Sequence, residues 1–166
     1  SAEAYGSGGQ HVTVLALGPL TNVAAALRAD PALRERLERV IIPGPSDVVQ
    51  NWNLARDRAA YEAVKSAGVK IEFAVPNAAA AKPMAWAKGD CKLGAGTSLA
   101  EDFFGRLLSD QAVREHYVVE LRQFYDELAL ALLLAPQQFS ADSGGATAPR
   151  SADELARAMT YWLTNG

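Results

Sequence analysis

The chain has 166 residues, of which 49% are hydrophobic and 21% are charged, values typical of a globular protein with one sizeable buried core. Its net charge of -3 comes from mixed acidic and basic residues, which excludes the basic surface expected of a nucleic-acid-binding or anionic membrane-binding protein. The single cysteine excludes an internal disulfide, and the two histidines lack the spacing of a zinc site.

The N-terminal part of the chain predicts a short flexible segment followed by a strand. Residues 1–10 are rich in Gly and Ser and are expected to be flexible, while residues 11–166 are expected to form a single α/β domain. The run HVTVLAL at residues 11–17 is nearly continuous in apolar residues, which predicts a strand buried on both faces. A Gly-Pro turn ends this strand.

Strands and helices alternate through the rest of the first half. Polar residues mark the predicted helix starts: Thr21 or Asn22, then Asp30 before a proline, then Asp57. Alternation at this spacing predicts a parallel sheet with flanking helices. The predicted elements are a helix at residues 20–28, a helix at 31–39, a strand at 40–42, a helix from 57 that ends at Gly68, and a strand at 70–75.

The second half is predicted to be mainly helical. Apolar positions recur at steps of three and four between residues 113 and 135, which predicts one long helix that Pro136 ends. The remaining predictions are a loop at residues 77–96, a helix after the capping box of Ser98 and Glu101, a linker at 141–150, and a terminal helix after the capping box of Ser151 and Glu154.

Ligand sites of parallel sheets lie at the carboxyl ends of the strands, so the loops after residues 17, 42 and 75 are candidates. The second of these leads into Asn51, Trp52 and Asn53. Two interpretations stay open. The carboxamides hydrogen-bond sugar hydroxyls while the indole covers an apolar sugar face, or the asparagines serve turn geometry and the tryptophan fills the core. Residue types alone favour the second interpretation.

Common nucleotide and hydrolase motifs do not occur in the chain. It contains no G-x-G-x-x-G, no G-x-x-x-x-G-K-[ST] and no G-x-S-x-G. A dinucleotide cofactor, a P-loop and an esterase-type catalytic triad are therefore not predicted.

Three separate segments carry a resemblance to a known family. The run VTVLALGPLTNVAAALRADPALRERLERVIIPG resembles the strand, G-P-L-T-N turn, helices and M-G-G strand end of the inosine-uridine preferring nucleoside hydrolases. NWNLARDRAAYEAV resembles their E-F-N-x-x-x-D-P-E-A-A segment, and FYDELALALLLAP resembles their H-D-P-L-A segment. The resemblance implies an incomplete, open Rossmann-like version of that α/β fold, with a parallel sheet and a helical second half.

The resemblance also implies an activity and residue roles. Members of the family hydrolyse the N-glycosidic bond of ribonucleosides with a bound calcium ion. By position, the main-chain carbonyl of Leu17 and the carboxylate of Asp126 would be calcium ligands, and Asn53 would contact the ribose. Tyr125 stands where the family has the histidine that protonates the leaving base, and Asp57 matches a helix-opening aspartate with a structural role.

Several departures from the family pattern bear on activity. The acidic D-x-D-x-x-x-D-D segment, which supplies most of the calcium ligands and the general base, does not occur in the sequence. Asn51 replaces a ribose-binding glutamate, Pro43 replaces the methionine of M-G-G, and a phenol at Tyr125 is a poorer acid at neutral pH than an imidazolium. We therefore expect that this chain alone is not a competent hydrolase and does not hold calcium by itself.

The expected partners follow from the same resemblance. They are a ribonucleoside or another ribosyl ligand, and a complementary segment that supplies the absent strand. A homo-oligomer is the other expectation, because without that strand a sheet edge and apolar helix faces would be uncovered. The alternative function is that of a non-catalytic relative that binds a sugar or nucleoside or takes part in a protein interaction. No apolar run approaches the roughly 20 residues that span a bilayer, so we expect a soluble protein, cytoplasmic or exported after removal of a signal.

Overall fold

A mostly parallel sheet forms the centre of the molecule in the computed structural model, which describes residues 11–75, 125–141 and 147–150. Within these residues, β1–β2, β2–β3 and β3–β5 are parallel pairs, and β4 runs antiparallel to β5. The predicted parallel sheet is confirmed. The strands are β1 (Val12–Leu15), β2 (Leu37–Pro43), β3 (Ile71–Ala74), β4 (Phe139–Ala141) and β5 (Thr147–Pro149), in the spatial order β1-β2-β3-β5-β4.

Helices cover both faces of the sheet. They are α1 (Thr21–Ala29), α2 (Trp52–Arg56), α3 (Arg58–Ser66) and α4 (Tyr125–Leu134), with short 3-10 helices at Pro31–Arg36 and Pro136–Gln138. Side chains of a strand alternate between its faces. Val40 and Ile42 therefore pack in a cluster with α1 and α3, while Ile41 packs against α4. None of the described helices has the length and apolar character needed to cross a membrane.

The strand that is buried on both faces is β2 rather than β1. Val40, Ile41 and Ile42 are fully buried, whereas Val12 is exposed and the rest of β1 is half-buried. Among the described residues, β1 pairs with β2 alone and forms one edge of the sheet. The prediction of a doubly buried first strand is therefore wrong, because apolar composition does not reveal a strand's place in the sheet.

The predicted cap of the first helix, and the predicted type and end of the second, need correction. Neither Thr21 nor Asn22 caps α1, because the N-cap position is Leu20 and no side chain bonds there. Asp30 does cap the next segment by accepting from the Ala32 amide at 3.0 Å, but that segment is a 3-10 helix ending at Arg36. The strand that follows begins at Leu37, three residues earlier than predicted, because the Leu37 side chain is buried in the core below α1 and α3.

The helix predicted from Asp57 is confirmed. The Asp57 carboxylate is its N-cap and accepts a hydrogen bond from the Ala60 amide at 3.0 Å. The helix ends at Ser66, and Gly68 follows with φ of +74°, a left-handed conformation that glycine adopts without strain. The one-turn helix α2 before Asp57 was not predicted.

The described part of the second half contains strands as well as a helix. α4 ends at Leu134, two residues before Pro136, as predicted. β5 lies inside the predicted linker at 141–150 and pairs antiparallel with β4, so the prediction that these residues are only a linker is wrong. The following predictions lie outside the described residues: the loop at 77–96, the capping boxes of Ser98 with Glu101 and of Ser151 with Glu154, and helical residues 113–124.

A polar contact links three strands on the face covered by α4. The Arg39 guanidinium lies 2.7 Å from the Glu72 carboxylate, and the Thr147 hydroxyl donates to the same carboxylate at 3.3 Å. Both charged side chains are about four-fifths buried, with 16% and 20% of their area exposed. This contact joins β2, β3 and β5, the last of which is far away in sequence.

Candidate functional site

An open cleft of about 300 Å³ lies at the carboxyl ends of β1 and β2, the position at which parallel sheets bind ligands. Its volume is at the lower end of the range for small-molecule sites. The cleft is lined by Leu17, residues 43–45, residues 50–53, Tyr125 and Asp126. It thus brings together all the residues singled out from the sequence as site candidates, namely Leu17, Asn51, Trp52, Asn53, Tyr125 and Asp126.

The Gly-Pro turn after β1 turns the Leu17 carbonyl towards α2. This carbonyl accepts a hydrogen bond from Asn53 Nδ2 at 3.4 Å, a long and therefore weak contact. Leu17 is 46% exposed, and the chain leaves the sheet directly before it, because the last bond to β2 is donated by the Ala16 amide to Ile41. The carbonyl therefore keeps capacity for a second partner in the cleft.

Asn51 has a different environment from Asn53. It is 2% exposed, and Nδ2 donates to the carbonyls of Pro43 and Pro45 at 3.0 and 2.8 Å. Oδ1 accepts from the amides of Asn53 and Leu54 at 3.0 and 3.2 Å, which caps α2. A carboxamide has two donor hydrogens and two acceptor lone pairs, and here all are used. Asn51 therefore builds the wall of the cleft and offers a ligand no free group.

Gly44 makes this arrangement of Asn51 possible. Its φ is +95°, and a Cβ placed on it would lie 3.0 Å from Asn51 Nδ2 and 3.9 Å from Cδ1 of Tyr125. Glycine is the residue that adopts this conformation without strain. The loop after β2 can therefore fold tightly over the asparagine and against Tyr125.

Trp52 lies on the rim of the cleft and does not fill the core. Its side chain is 69% exposed, which rules out the core-filling interpretation. The Arg56 guanidinium lies over its ring, 3.9 Å from the centroid, one turn further along α2. This distance is well inside the range of an attractive cation–π contact.

Tyr125 and Asp126 reach the cleft from the start of α4. Tyr125 is half-buried, whereas Asp126 is exposed. Desolvation nevertheless raises the pKa of the Asp126 carboxyl above its usual value. Burial also raises the pKa of neighbouring Glu127, and the charge on Asp126 adds to that shift.

The oxygen atoms in the cleft suit a hard cation but do not complete a site for one. The Leu17 carbonyl and the Asp126 carboxylate are of the ligand type that calcium prefers. Calcium takes about six to eight oxygens, and the described residues contain no group of three or more His, Cys, Asp or Glu side chains placed to hold a metal.

Sequence reasoning missed two structural features in and beside the cleft. The Thr21 hydroxyl, considered only as a helix cap, donates instead to the Asp57 carboxylate at 2.6 Å. Gly44 and Gln50 line the cleft and were not singled out. A glycine between two prolines directly after a buried strand is a signal that could have identified Gly44, whereas no local pattern pairs Thr21 with Asp57.

Known proteins share both the sequence pattern and the fold. A model of the inosine-uridine preferring nucleoside hydrolase family matches residues 2–165. The pyrimidine-specific ribonucleoside hydrolase RihA of Salmonella paratyphi B is 31% identical over 67 residues, which are 40% of this chain and 22% of that protein. The corresponding protein of Citrobacter koseri is 32% identical over 65 residues, which are 39% of this chain and 21% of that protein.

Solved structures agree with this assignment at the level of the fold. The inosine-uridine preferring nucleoside hydrolase of Bacillus anthracis matches with a TM-score of 0.63 and 16% identity, covering 93% of this chain and 61% of that one. The purine-preferring ribonucleoside hydrolase of Gardnerella vaginalis matches with a TM-score of 0.62 and 17% identity, covering 98% of this chain and 62% of that one. The chain thus spans less than two thirds of the length of these proteins.

The family model covers nearly the whole chain, and the three sequence segments that carry the resemblance lie within the match. The fold of the described residues agrees with that of the solved nucleoside hydrolases. The chain belongs to the inosine-uridine preferring nucleoside hydrolase family.

Proposed function

We propose that the cleft binds the ribosyl group of a ribonucleoside and forms part of a site that hydrolyses the N-glycosidic bond. One observation carries the proposal: Leu17, Trp52, Asn53 and Asp126 come from three separate segments of the chain and line the same small cleft. The family's activity and the names of the relatives, which act on ribonucleosides, supply the reaction class.

Trp52 and Asn53 are the proposed sugar contacts. The exposed indole offers one free face, because Arg56 covers the other, and an apolar sugar face can pack on it. Among the described residues, the Asn53 carboxamide makes one weak bond, to Leu17, so in this proposal its oxygen and its second N–H bind sugar hydroxyls. Asn51 holds the first turn of α2 in place by accepting from the amides of Asn53 and Leu54.

Asp126 and the Leu17 carbonyl are the proposed oxygen ligands of a calcium ion, in line with the family resemblance. They supply two oxygen-bearing groups from separate segments of the chain to the same cleft. The further ligands lie outside the described residues in this proposal, on a complementary segment or a second polypeptide. Hydrolysis then requires that additional part, and the chain alone binds the sugar without turnover.

Tyr125 is the proposed donor of a hydrogen bond to the leaving base. It lines the cleft beside Asp126 and packs near Gly44, so its ring is held between α4 and the loop after β2. Its hydroxyl is a donor of suitable chemistry for a departing nitrogen base.

Intrinsic fluorescence tests the proposed sugar site directly. Uridine, inosine and ribose are titrated into the full chain, with the Trp52→Phe variant as the control that assigns the signal to one of the three tryptophans. We expect quenching by ribose-containing ligands in the wild-type chain and none in Trp52→Phe. Absence of any quenching with all three ligands would overturn the proposal.

A second assay separates binding from catalysis. Release of free ribose from uridine and inosine is measured with added calcium and with a chelator. We expect no release by the chain alone in either condition. Calcium-dependent release that the chelator abolishes would show that the chain is a complete hydrolase and would refute the need for further ligands. If the chain binds uridine but releases no ribose even after a complementary segment is added, the alternative function, a non-catalytic binding protein, is favoured.

A further inference from the structure

We propose that Thr21 and Asp57 are positioning residues: their hydrogen bond, which lies outside the cleft, sets the distance between the Leu17 carbonyl and Asn53 inside it. The inference rests on the proposed function where it concerns ligand affinity. Neither residue lines the cleft.

Two contacts connect the same two segments of the chain. Asn53 Nδ2 donates to the Leu17 carbonyl, and the Thr21 hydroxyl donates to the Asp57 carboxylate. Each contact joins residues 36 positions apart. Thr21 lies four residues after Leu17 and Asp57 four residues after Asn53, so the contacts form two successive links between residues 17–21 and residues 53–57.

The two links differ in strength. The outer link, between Thr21 and Asp57, is 2.6 Å long and involves a carboxylate, whereas the inner link is 3.4 Å long and joins neutral groups. Hydrogen bonds to ionised acceptors are shorter and stronger than neutral ones. The outer link therefore determines the separation of the two segments, and the inner link adapts to it.

The Asp57 carboxylate is well suited to this task because a second contact fixes it. One oxygen accepts from Thr21, and the other caps α3 by accepting from the Ala60 amide at 3.0 Å. Both hydrogen bonds lower the pKa of Asp57, the one from Thr21 more strongly, so the group is ionised at neutral pH. Asp57 also joins α2 to α3, and a shift of this residue is transmitted to Asn53 on α2.

Apolar packing between α1 and α3 does not replace this contact. Ala24 and Leu27 of α1 share a core cluster with Ala60 and Val64 of α3, and this packing holds the helices side by side. Hydrophobic contact is not directional, so it resists separation more than it resists sliding along the helix axes. The hydrogen bond from Thr21 at the start of α1 to Asp57 at the start of α3 is directional, so it resists this sliding.

The experiment compares two threonine variants of the full 166-residue chain. Thr21→Val removes the outer link, and Thr13→Val is the matched control, because Thr13 also donates to an exposed carboxylate, that of Glu38 at 3.2 Å, away from the cleft. The readouts are the NMR signals of the Asn53 side-chain amide without ligand and the affinity for uridine from Trp52 fluorescence. Asp57→Asn and Thr21→Ser are measured alongside.

We expect Thr21→Val to shift the Asn53 amide signals and to weaken uridine binding about tenfold, because small displacements of a positioned group are costly. Thr21→Ser keeps the hydroxyl and should restore both readouts, and Thr13→Val should change neither. Asp57→Asn, which weakens both bonds of the carboxylate, should shift the Asn53 signals in the same direction. It provides the test if Thr21→Val does not fold.

The two readouts separate the inference from the proposed function. If the wild-type chain does not bind uridine, the proposed function fails, while the Asn53 signals in the variants still decide whether Thr21 and Asp57 position that residue. Unchanged Asn53 signals in both Thr21→Val and Asp57→Asn would overturn the inference. So would an equal shift of these signals in Thr13→Val.

Discussion

The two sides of the cleft are built in opposite ways. On the braced wall, residues 43–51, the Asn51 carboxamide is 2% exposed and makes four hydrogen bonds of 2.8–3.2 Å. On the open wall, which consists of Leu17, Trp52, Asn53 and Asp126, the side chains make one described hydrogen bond, of 3.4 Å, and Trp52 is 69% exposed.

The difference separates residues that form the site from residues that remain available to a ligand. Buried polar groups in a folded protein are almost always paired, and the braced wall follows that rule. Polar groups that keep spare hydrogen-bonding capacity in a cleft are the ones that can exchange water for a ligand. Two asparagines only two positions apart thus differ in hydrogen bonding: the Asn51 carboxamide is fully paired, whereas the Asn53 carboxamide makes one long described bond.

The largest expected effect comes from exchanging each asparagine for aspartate. Asn51→Asp replaces two donated hydrogen bonds by a carboxylate facing two carbonyls, which we expect to lower the free energy of unfolding by about 3 kcal/mol. Asn53→Asp loses one long bond and should cost less than about 1 kcal/mol. Urea denaturation measures both. Equal losses in the free energy of unfolding would show that the hydrogen bonds of Asn51 and of Asn53 contribute equally to stability, against the proposed contrast between the two walls.

Substitution of Gly44, which lies against Asn51, tests how tightly the braced wall is packed. Gly44→Ala places a Cβ 3.0 Å from Asn51 Nδ2 at a φ of +95°, so we expect a loss of about 2 kcal/mol in the free energy of unfolding. Gly18→Ala, in the turn after Leu17, meets no atom within 4 Å and should change stability by about 0.5 kcal/mol or less. Thermal unfolding of the two variants compares them directly. A tolerated Gly44→Ala would mean that Asn51 can move without cost.

A pH dependence is expected for the link between Thr21 and Asp57. The pKa of Asp57 is lowered in the folded chain, so the carboxylate contributes stability above its unfolded pKa, which is about 3.9, and this contribution is lost as the pH falls through the folded pKa. The stability difference between the wild-type chain and Asp57→Asn should therefore be largest near neutral pH and shrink in acid. Denaturant unfolding across this pH range measures it. A constant difference would argue against an ionised, hydrogen-bonded Asp57.

The smallest expected effect concerns the rim of the open wall. Arg56→Ala removes the guanidinium over the Trp52 ring and should cost about 0.5 kcal/mol of stability, typical of an exposed cation–π pair. The indole then gains rotational freedom, so the fluorescence anisotropy of Trp52 should fall. Arg56→Lys keeps the charge and is the control. An unchanged anisotropy in Arg56→Ala would show that the ring is held by other contacts.

Much of the site could be inferred from the sequence because its residues come from segments with recognisable local patterns. The Gly-Pro turn marked the end of β1 and Leu17, and three blocks in the family's order included Asn53, Tyr125 and Asp126. The different hydrogen bonding of Asn51 and Asn53 could not be inferred. They depend on the carbonyls of Pro43 and Pro45, which approach Asn51 only when the loop closes over Gly44.

In the fold as well, elements with local sequence patterns were predicted, whereas an element that depends on distant contacts was missed. Residues 40–42 and 70–75 were identified as strands from local apolar runs, and Asp57 was identified as a helix start from its position before an amphipathic segment. β5 was missed because Thr147–Pro149 is short, follows glycines, and pairs with β3, more than 70 residues earlier in the chain. Such a strand has no local signal, since its partners determine its conformation.

By itself, the sequence determined the alternation of strands and helices, the turn after β1 and the family to which the chain belongs, because these depend on neighbouring residues and their spacing. Only the tertiary structure decided which strand is buried, which asparagine is satisfied and that Thr21 meets Asp57. Burial and hydrogen bonding depend on atoms that the fold brings together from distant segments. A pattern of residue types does not contain those distances.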